Sequence, residues 1–148
     1  VVRDALDAHR LSAASRSLRL EARLSPVTAK TDADKLRVVA DNLVGNAVKF
    51  SPDGGTVALS LDRRERTLVL DVVDQGPGIR PEDRERVFDW FFQGRAAASG
   101  PVQGSGLGLA IAREWALAHG GSIEAIERAK GAHLRLTLPL SPGECGAA

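Results

Sequence analysis

Cysteine is nearly absent: the 148 residues hold one, Cys145, inside a Gly- and Ala-rich tail. A single thiol supports neither a disulfide framework nor a cysteine-based metal site, and its rarity suits a reducing compartment. Net charge is also nearly absent, since 20 Lys and Arg almost cancel 19 Asp and Glu. No global field would draw the chain to nucleic acid or anionic lipid, so any phosphate binding must be local. No apolar run approaches the roughly 20 residues that cross a bilayer, and the opening Val1-Val2-Arg3-Asp4 lacks the basic-then-apolar order of a signal peptide. The Gly-Lys-Ser/Thr signature of a P-loop occurs nowhere.

What is present is 43% hydrophobic residues, enough for one core in a chain of single-domain length. Starting on Val1 within a helical pattern, the chain reads as a piece of something longer, whose parent could be a membrane protein. Val2, Leu6, His9 and Leu11 recur at near-helical spacing, so residues 1–15 are expected to form a first helix or the end of an interdomain linker helix. Residues 16–140 are then the domain, and 141–148 a disordered tail. Residues 17–24 alternate, with Leu18, Leu20, Ala22 and Leu24 on one side, as in a half-buried strand; 26–29 could add a brief second one. Asp32 is a suitable N-cap for a helix running to Phe50, which Ser51-Pro52-Asp53-Gly54-Gly55 stops. Residues 56–61 and 67–73 read as a hairpin joined by the charged turn 62–66, and 82–92 as a helix. Residues 94–106 are a glycine-rich loop without periodicity. Residues 107–119 form another helix, ended by Gly120-Gly121, before a closing strand pair at 122–127 and 133–138. Helices alternating with hairpin neighbours predict an α+β fold, a two-layer α/β sandwich rather than a doubly wound parallel sheet.

Four segments carry chemistry. In Asn42-Leu43-Val44-Gly45-Asn46-Ala47-Val48-Lys49-Phe50 the two asparagines stand at i and i+4, so their amides share one helix face with Lys49 a turn further on. A single Asn more often pins a neighbouring backbone. The pair followed by an ammonium suits a hydrated Mg²⁺ bridging phosphates. Asp74-Gln75-Gly76-Pro77-Gly78-Ile79 follows an apolar strand: a carboxylate there can accept the exocyclic amino group of adenine, while glycines admit a flat ring, although a plain turn uses the same residues. Val87-Phe88-Asp89-Trp90-Phe91-Phe92-Gln93-Gly94 holds three of the chain's four Phe and reads mostly as core and lid packing. Gly104-Ser105-Gly106-Leu107-Gly108-Leu109-Ala110 runs into a helix whose free N–H groups and dipole can cradle phosphate. No β-α-β unit surrounds it, so it is not a dinucleotide fingerprint.

In order and spacing these four segments resemble the asparagine, first glycine, phenylalanine and second glycine boxes of histidine kinase catalytic domains, in the superfamily that includes type II topoisomerases, a heat-shock chaperone and mismatch-repair ATPases. The resemblance runs over nearly the whole chain. It implies the Bergerat fold: a mixed, mostly antiparallel sheet with about three helices on one face, binding ATP and Mg²⁺ under a lid at 94–106. It implies Asp74 on the adenine amino group, Gly76, Gly78 and Ile79 beside the ring, and Phe50 and Phe88 bordering the pocket. Asn46 and Asn42 would hold Mg²⁺, Lys49 would reach phosphate oxygens, and Gly104, Ser105, Gly106, Leu107, Gly108 and Leu109 would bind phosphate. Gln93 stands where the family usually has Arg, so Arg95 is the candidate phosphate-facing guanidinium.

Hydrolytic relatives carry a general-base glutamate four residues before the Mg²⁺-binding asparagine; here that position is Asn42, which cannot take a proton, and Asp41 faces another side of the helix. Transfer to a neutral imidazole needs positioning and charge neutralisation more than a base. The family's phosphoacceptor histidine motif is missing, and His9, His119 and His133 read as structural. The expectation is the catalytic domain of a cytoplasmic kinase portion, its parent an inner-membrane sensor. It would serve a histidine on a separate dimerisation domain and, through the full-length kinase, a response regulator; by itself it would be monomeric and unable to phosphorylate itself. An anti-sigma-factor-type serine kinase, or a nucleotide-binding regulatory module without transfer, are the alternatives.

Overall fold

In a computed structural model of the chain, residues 1–27, 32–89 and 108–140 are described. The elements are α1 (Val2–Ala8), α2 (Arg10–Ser15), β1 (Arg19–Leu24), α3 (Ala33–Phe50), β2 (Thr56–Arg64), β3 (Thr67–Val73), two 3-10 turns (Pro81–Asp83 and Arg86–Phe88), α4 (Gly108–Ala118), β4 (Ser122–Ala125) and β5 (His133–Pro139). The five strands form one sheet in the order β1-β2-β3-β5-β4. Only β1 and β2 run parallel; the other three pairings are antiparallel. The fold is therefore α+β with a mixed, mostly antiparallel sheet.

α3 forms where its pattern and cap predict. Asp32 accepts a hydrogen bond from the Lys35 N–H at 3.1 Å, which satisfies one of the unpaired donors of the first turn. Leu36, Val39, Ala40, Leu43, Val44, Ala47 and Val48 then line one buried stripe. That stripe packs over β2 and β3, α4 covers β4 and β5, and α1 lies along α3. Val57, Leu59, Leu70, Val72, Leu134 and Leu136 alternate inward from the sheet to meet them. α4 ends at Gly120, whose φ of +74° is the left-handed conformation glycine adopts without strain. On the other sheet face Asp71 lies between a histidine and an arginine, its Oδ1 2.6 Å from His133 Nε2 and 2.7 Å from Arg135 Nε. Burial would raise that carboxyl, but the hydrogen bonds and charges of Arg135 and His133 outweigh it and hold it below its ordinary range.

Five expectations change. The first helical segment breaks at His9 into α1 and α2, and Ala13 rather than Leu11 turns inward; Leu11 is 84% exposed. In β1 Ala22 is exposed, because the strand is a sheet edge and only Leu20 and Leu24 reach the core. The hairpin turn is tighter than 62–66: Arg64 pairs with Thr67, and Glu65 takes a φ of +57°. Residues 82–89 form no α-helix. Pro81 opens a 3-10 turn bonded from Asp83 N–H to Arg80 O at 2.8 Å, and a second turn closes with Asp89 N–H to Arg86 O at 2.9 Å. These i to i+3 bonds carry Phe88 into the core within a short length of chain. Pro26 and Val27 belong to no strand, and the rest of the brief strand expected at 26–29 lies outside the described residues.

Candidate nucleotide site

The face of α3 that flanks its buried stripe carries Asn42, Asn46 and Lys49, each half-buried. Neither asparagine amide has a hydrogen-bond partner among the described residues. Gly108, which opens α4, lies directly against this face: a Cβ there would stand 3.3 Å from Asn42 Oδ1. The tertiary fold thus brings the start of α4, whose first N–H groups find no acceptor within the helix, and the positive end of its dipole beside two neutral amide oxygens. Among the described residues no three His, Cys, Asp or Glu side chains converge. The two amide oxygens are hard, neutral donors of a kind that could join water and phosphate around Mg²⁺. Leu109, just inside α4, packs partly into the core. Gly104, Ser105, Gly106, Leu107 and Arg95, expected to complete the phosphate cradle, lie outside the described residues.

Asp74 ends β3 and is 7% exposed. Its Oδ1 accepts the N–H of Gly76 at 2.8 Å and that of Ala132 at 3.1 Å. Its own N–H donates to the Ala132 carbonyl at 2.9 Å. Desolvation pushes the carboxyl above its ordinary value, partly offset by those two N–H groups and by the charge of Arg128. Both described bonds fall on one oxygen, which fixes the carboxylate plane and leaves Oδ2 as the second acceptor.

Backbone packing requires the glycines around Asp74. A Cβ on Gly76 would come within 2.5 Å of the Phe50 carbonyl oxygen. Gly78 has a φ of +82° and faces Gly131, whose own Cβ would collide with the Asp74 carbonyl at 1.9 Å. Backbone therefore packs on backbone here, and this brings the end of α3, the Asp74 turn and the β4–β5 connection together. Phe50 is half-buried at that junction, with the Lys49 ammonium 5.3 Å from its ring centroid. Ile79 packs partly on the core. Phe88 is 5% exposed within the core, the Arg113 guanidinium 5.7 Å from its ring, and contributes packing.

Sequence reasoning missed Ala132, which holds Asp74 from 58 positions away, Gly131, which packs on the Asp74 backbone, and Arg128. The available signal was a glycine between two strands, which reads as an ordinary turn. It also missed Gln75, whose Oε1 accepts the Thr56 N–H at 2.9 Å and ties the Asp74 turn to β2.

All three histidines are engaged within the fold. His9 Nε2 lies 3.0 Å from Asp41 Oδ1, with its ring against Gly45. His119 Nδ1 lies 2.9 Å from the Trp115 carbonyl, and the two rings sit 4.4 Å apart. His133 pairs with Asp71.

Residues 31–142 match the family model described as histidine kinase-, DNA gyrase B-, and HSP90-like ATPase. The sensor histidine kinase WalK of Bacillus subtilis (strain 168) is 46% identical over 112 residues, 73% of this chain and 18% of its own length. This chain thus spans less than a fifth of that relative. The solved structure of the mycobacterial sensor histidine kinase MprB superposes with a TM-score of 0.85 at 33% identity, covering 95% of this chain and 94% of that one. Full-length ShkA, solved in complex with AMPPNP, superposes with a TM-score of 0.82 at 28% identity, covering 99% of this chain and 30% of that one.

Proposed function

The chain belongs to the histidine kinase-, DNA gyrase B- and HSP90-like ATPase family, and from that premise we propose that it is the ATP-binding catalytic domain of a sensor histidine kinase. It binds Mg-ATP and donates the γ-phosphoryl group to a histidine on a separate dimerisation domain. The observation that carries this reading is the convergence of Asn42, Asn46 and Lys49 with Gly108 on one side of α3, while Asp74, fixed through Oδ1, lies by the Phe50 end of the same helix. The complex of ShkA with AMPPNP supports a nucleotide ligand.

Each residue has a physical task in this reading. Asp74 Oδ2 accepts the adenine amino group, a choice that guanine cannot satisfy because it presents an oxygen at that position. Asn46 and Asn42 offer neutral oxygens to Mg²⁺, which when bound neutralises phosphate charge and orients the transferring group. Lys49 balances phosphate charge from the last turn of α3, and the N-terminal amides of α4, from Gly108, bind a phosphate oxygen. Asn42 also decides against hydrolysis, since an amide cannot remove a proton from water. A neutral imidazole needs no such base, only alignment with the γ-phosphorus.

No described helix is long and apolar enough to cross a membrane. We place the domain in the cytoplasm, with a response regulator as the downstream partner of the full kinase. Calorimetric titration with a non-hydrolysable ATP analogue is expected to give saturable, Mg²⁺-dependent binding, with the GTP analogue weaker by at least about tenfold. Equal affinities for the two, or no binding of either, would contradict the proposal.

A further inference from the structure

Residues 1–30 lie outside the matched family segment, yet Arg16 reaches the helix that carries Asn42, Asn46 and Lys49. The last four carbonyls of a helix find no partner within it. In α3 the Ala47 carbonyl is taken by the Ser51 N–H at 3.1 Å. Those of Val48 and Lys49 both accept from Nη1 of Arg16, the latter at 3.3 Å, and Nη2 donates to the carbonyl of Ser51 just beyond the helix end. Nε donates to Asp53 Oδ1 at 2.9 Å. The Arg16 backbone is tied to the same stretch, its carbonyl accepting the Gly54 N–H at 3.0 Å. Asp53 is 78% exposed, so that ion pair adds little. The fork across the Val48, Lys49 and Ser51 carbonyls matters more, because a planar guanidinium can hold several acceptors in fixed geometry where an ammonium cannot. Its positive charge also suits the negative end of the helix dipole.

We propose that Arg16 is a positioning residue for Lys49. By holding the carbonyls of Val48, Lys49 and Ser51 together it prevents the last turn of α3 from fraying and keeps the Lys49 side chain on the helix face that carries Asn42 and Asn46. The proposal rests on the reading of Lys49 as a phosphate-binding group, so the test must separate the two.

A double-mutant cycle with Arg16→Ala, Lys49→Ala and the pair does so, read by titration with Mg²⁺ and a non-hydrolysable ATP analogue and, in parallel, with adenosine. Arg16→Ala is expected to weaken the analogue about tenfold and to leave adenosine binding unchanged. The double variant should bind no more weakly than Lys49→Ala alone, since both changes remove one interaction. Arg16→Lys keeps the charge without the fork and should match Arg16→Ala, which also covers the case in which the alanine variant does not fold. Losses that multiply in the double variant, wild-type affinity in Arg16→Lys, or parallel losses for adenosine and the analogue would each overturn the proposal. If Lys49→Ala alone binds the analogue normally, the phosphate reading of Lys49 fails and the positioning role falls with it.

Discussion

Asp74→Asn is expected to weaken ATP-analogue binding by about 100-fold, the loss of a charge-assisted hydrogen bond plus a mismatched pair of donors, and to erase the preference for adenine over guanine. Asparagine keeps the Oδ1 that accepts the Gly76 and Ala132 N–H groups, so the turn should hold its shape. Its Nδ2 then stands where Oδ2 accepted, opposing the adenine amino group with a second donor while offering one to the guanine carbonyl. Asp74→Ala is the less clean variant, because it leaves both N–H groups without their acceptor. Titration of wild type and variant with ATP and GTP analogues measures the effect. A variant that kept the wild-type ratio would refute the adenine assignment.

The same substitution should stabilise the fold. Because burial raises the Asp74 carboxyl above its ordinary 3.8 in the folded state, the folded chain holds its proton to higher pH than the unfolded chain does. Stability from this group is therefore lost as pH rises from 3.8 through the folded value, and at neutral pH the ionised side chain costs stability. Asp74→Asn removes the cost, so its thermal midpoint at pH 7 should exceed that of wild type, with the gap closing on acidification. A site that is less stable than its neutral isostere is typical where function sets the residue.

The second large effect concerns Asn46. Asn46→Ala should weaken Mg²⁺-dependent analogue binding by about 100-fold, through loss of a metal ligand and of the phosphate alignment it supports, and leave no difference between titrations with Mg²⁺ and with a chelator. Stability should change by less than about 0.5 kcal/mol, since the amide is half-buried, has no partner among the described residues and gives way to a better helix former. Unchanged Mg²⁺ dependence would remove Asn46 from the metal site, and a fall in the thermal midpoint of several degrees would assign it a structural role instead.

Much of the fold was legible because its signals are local. Asp32 marks the start of α3, the spacing of Leu36, Val39, Leu43 and Ala47 marks its buried stripe, and the apolar alternation of β3 delivers Asp74 to a strand end. The polar face of α3 follows from 3.6-residue periodicity alone, which is why Asn42, Asn46 and Lys49 could be grouped from sequence. What was not legible depends on contacts between distant segments. Gly131 and Ala132 matter only because β5 pairs with β3, and Arg16 only because β1 starts beside the end of α3. The packing of Gly76 on the Phe50 carbonyl and of Gly78 on Gly131 is likewise a contact between distant segments that no local pattern reveals. The segment 82–89 has helix-forming composition, yet Pro81 and the need to bury Phe88 favour two short 3-10 turns.

The most direct test of the account supplies the histidine from outside. This chain is incubated with Mg²⁺ and γ-labelled ATP, alone and with the parent kinase's dimerisation and phosphoacceptor domain as a separate polypeptide. Acid-labile, alkali-stable label is expected on the added domain only, and none on this chain in either reaction. Label retained on this chain, or phosphate released to water with the added domain unlabelled, would contradict a catalytic domain that transfers to a histidine in trans.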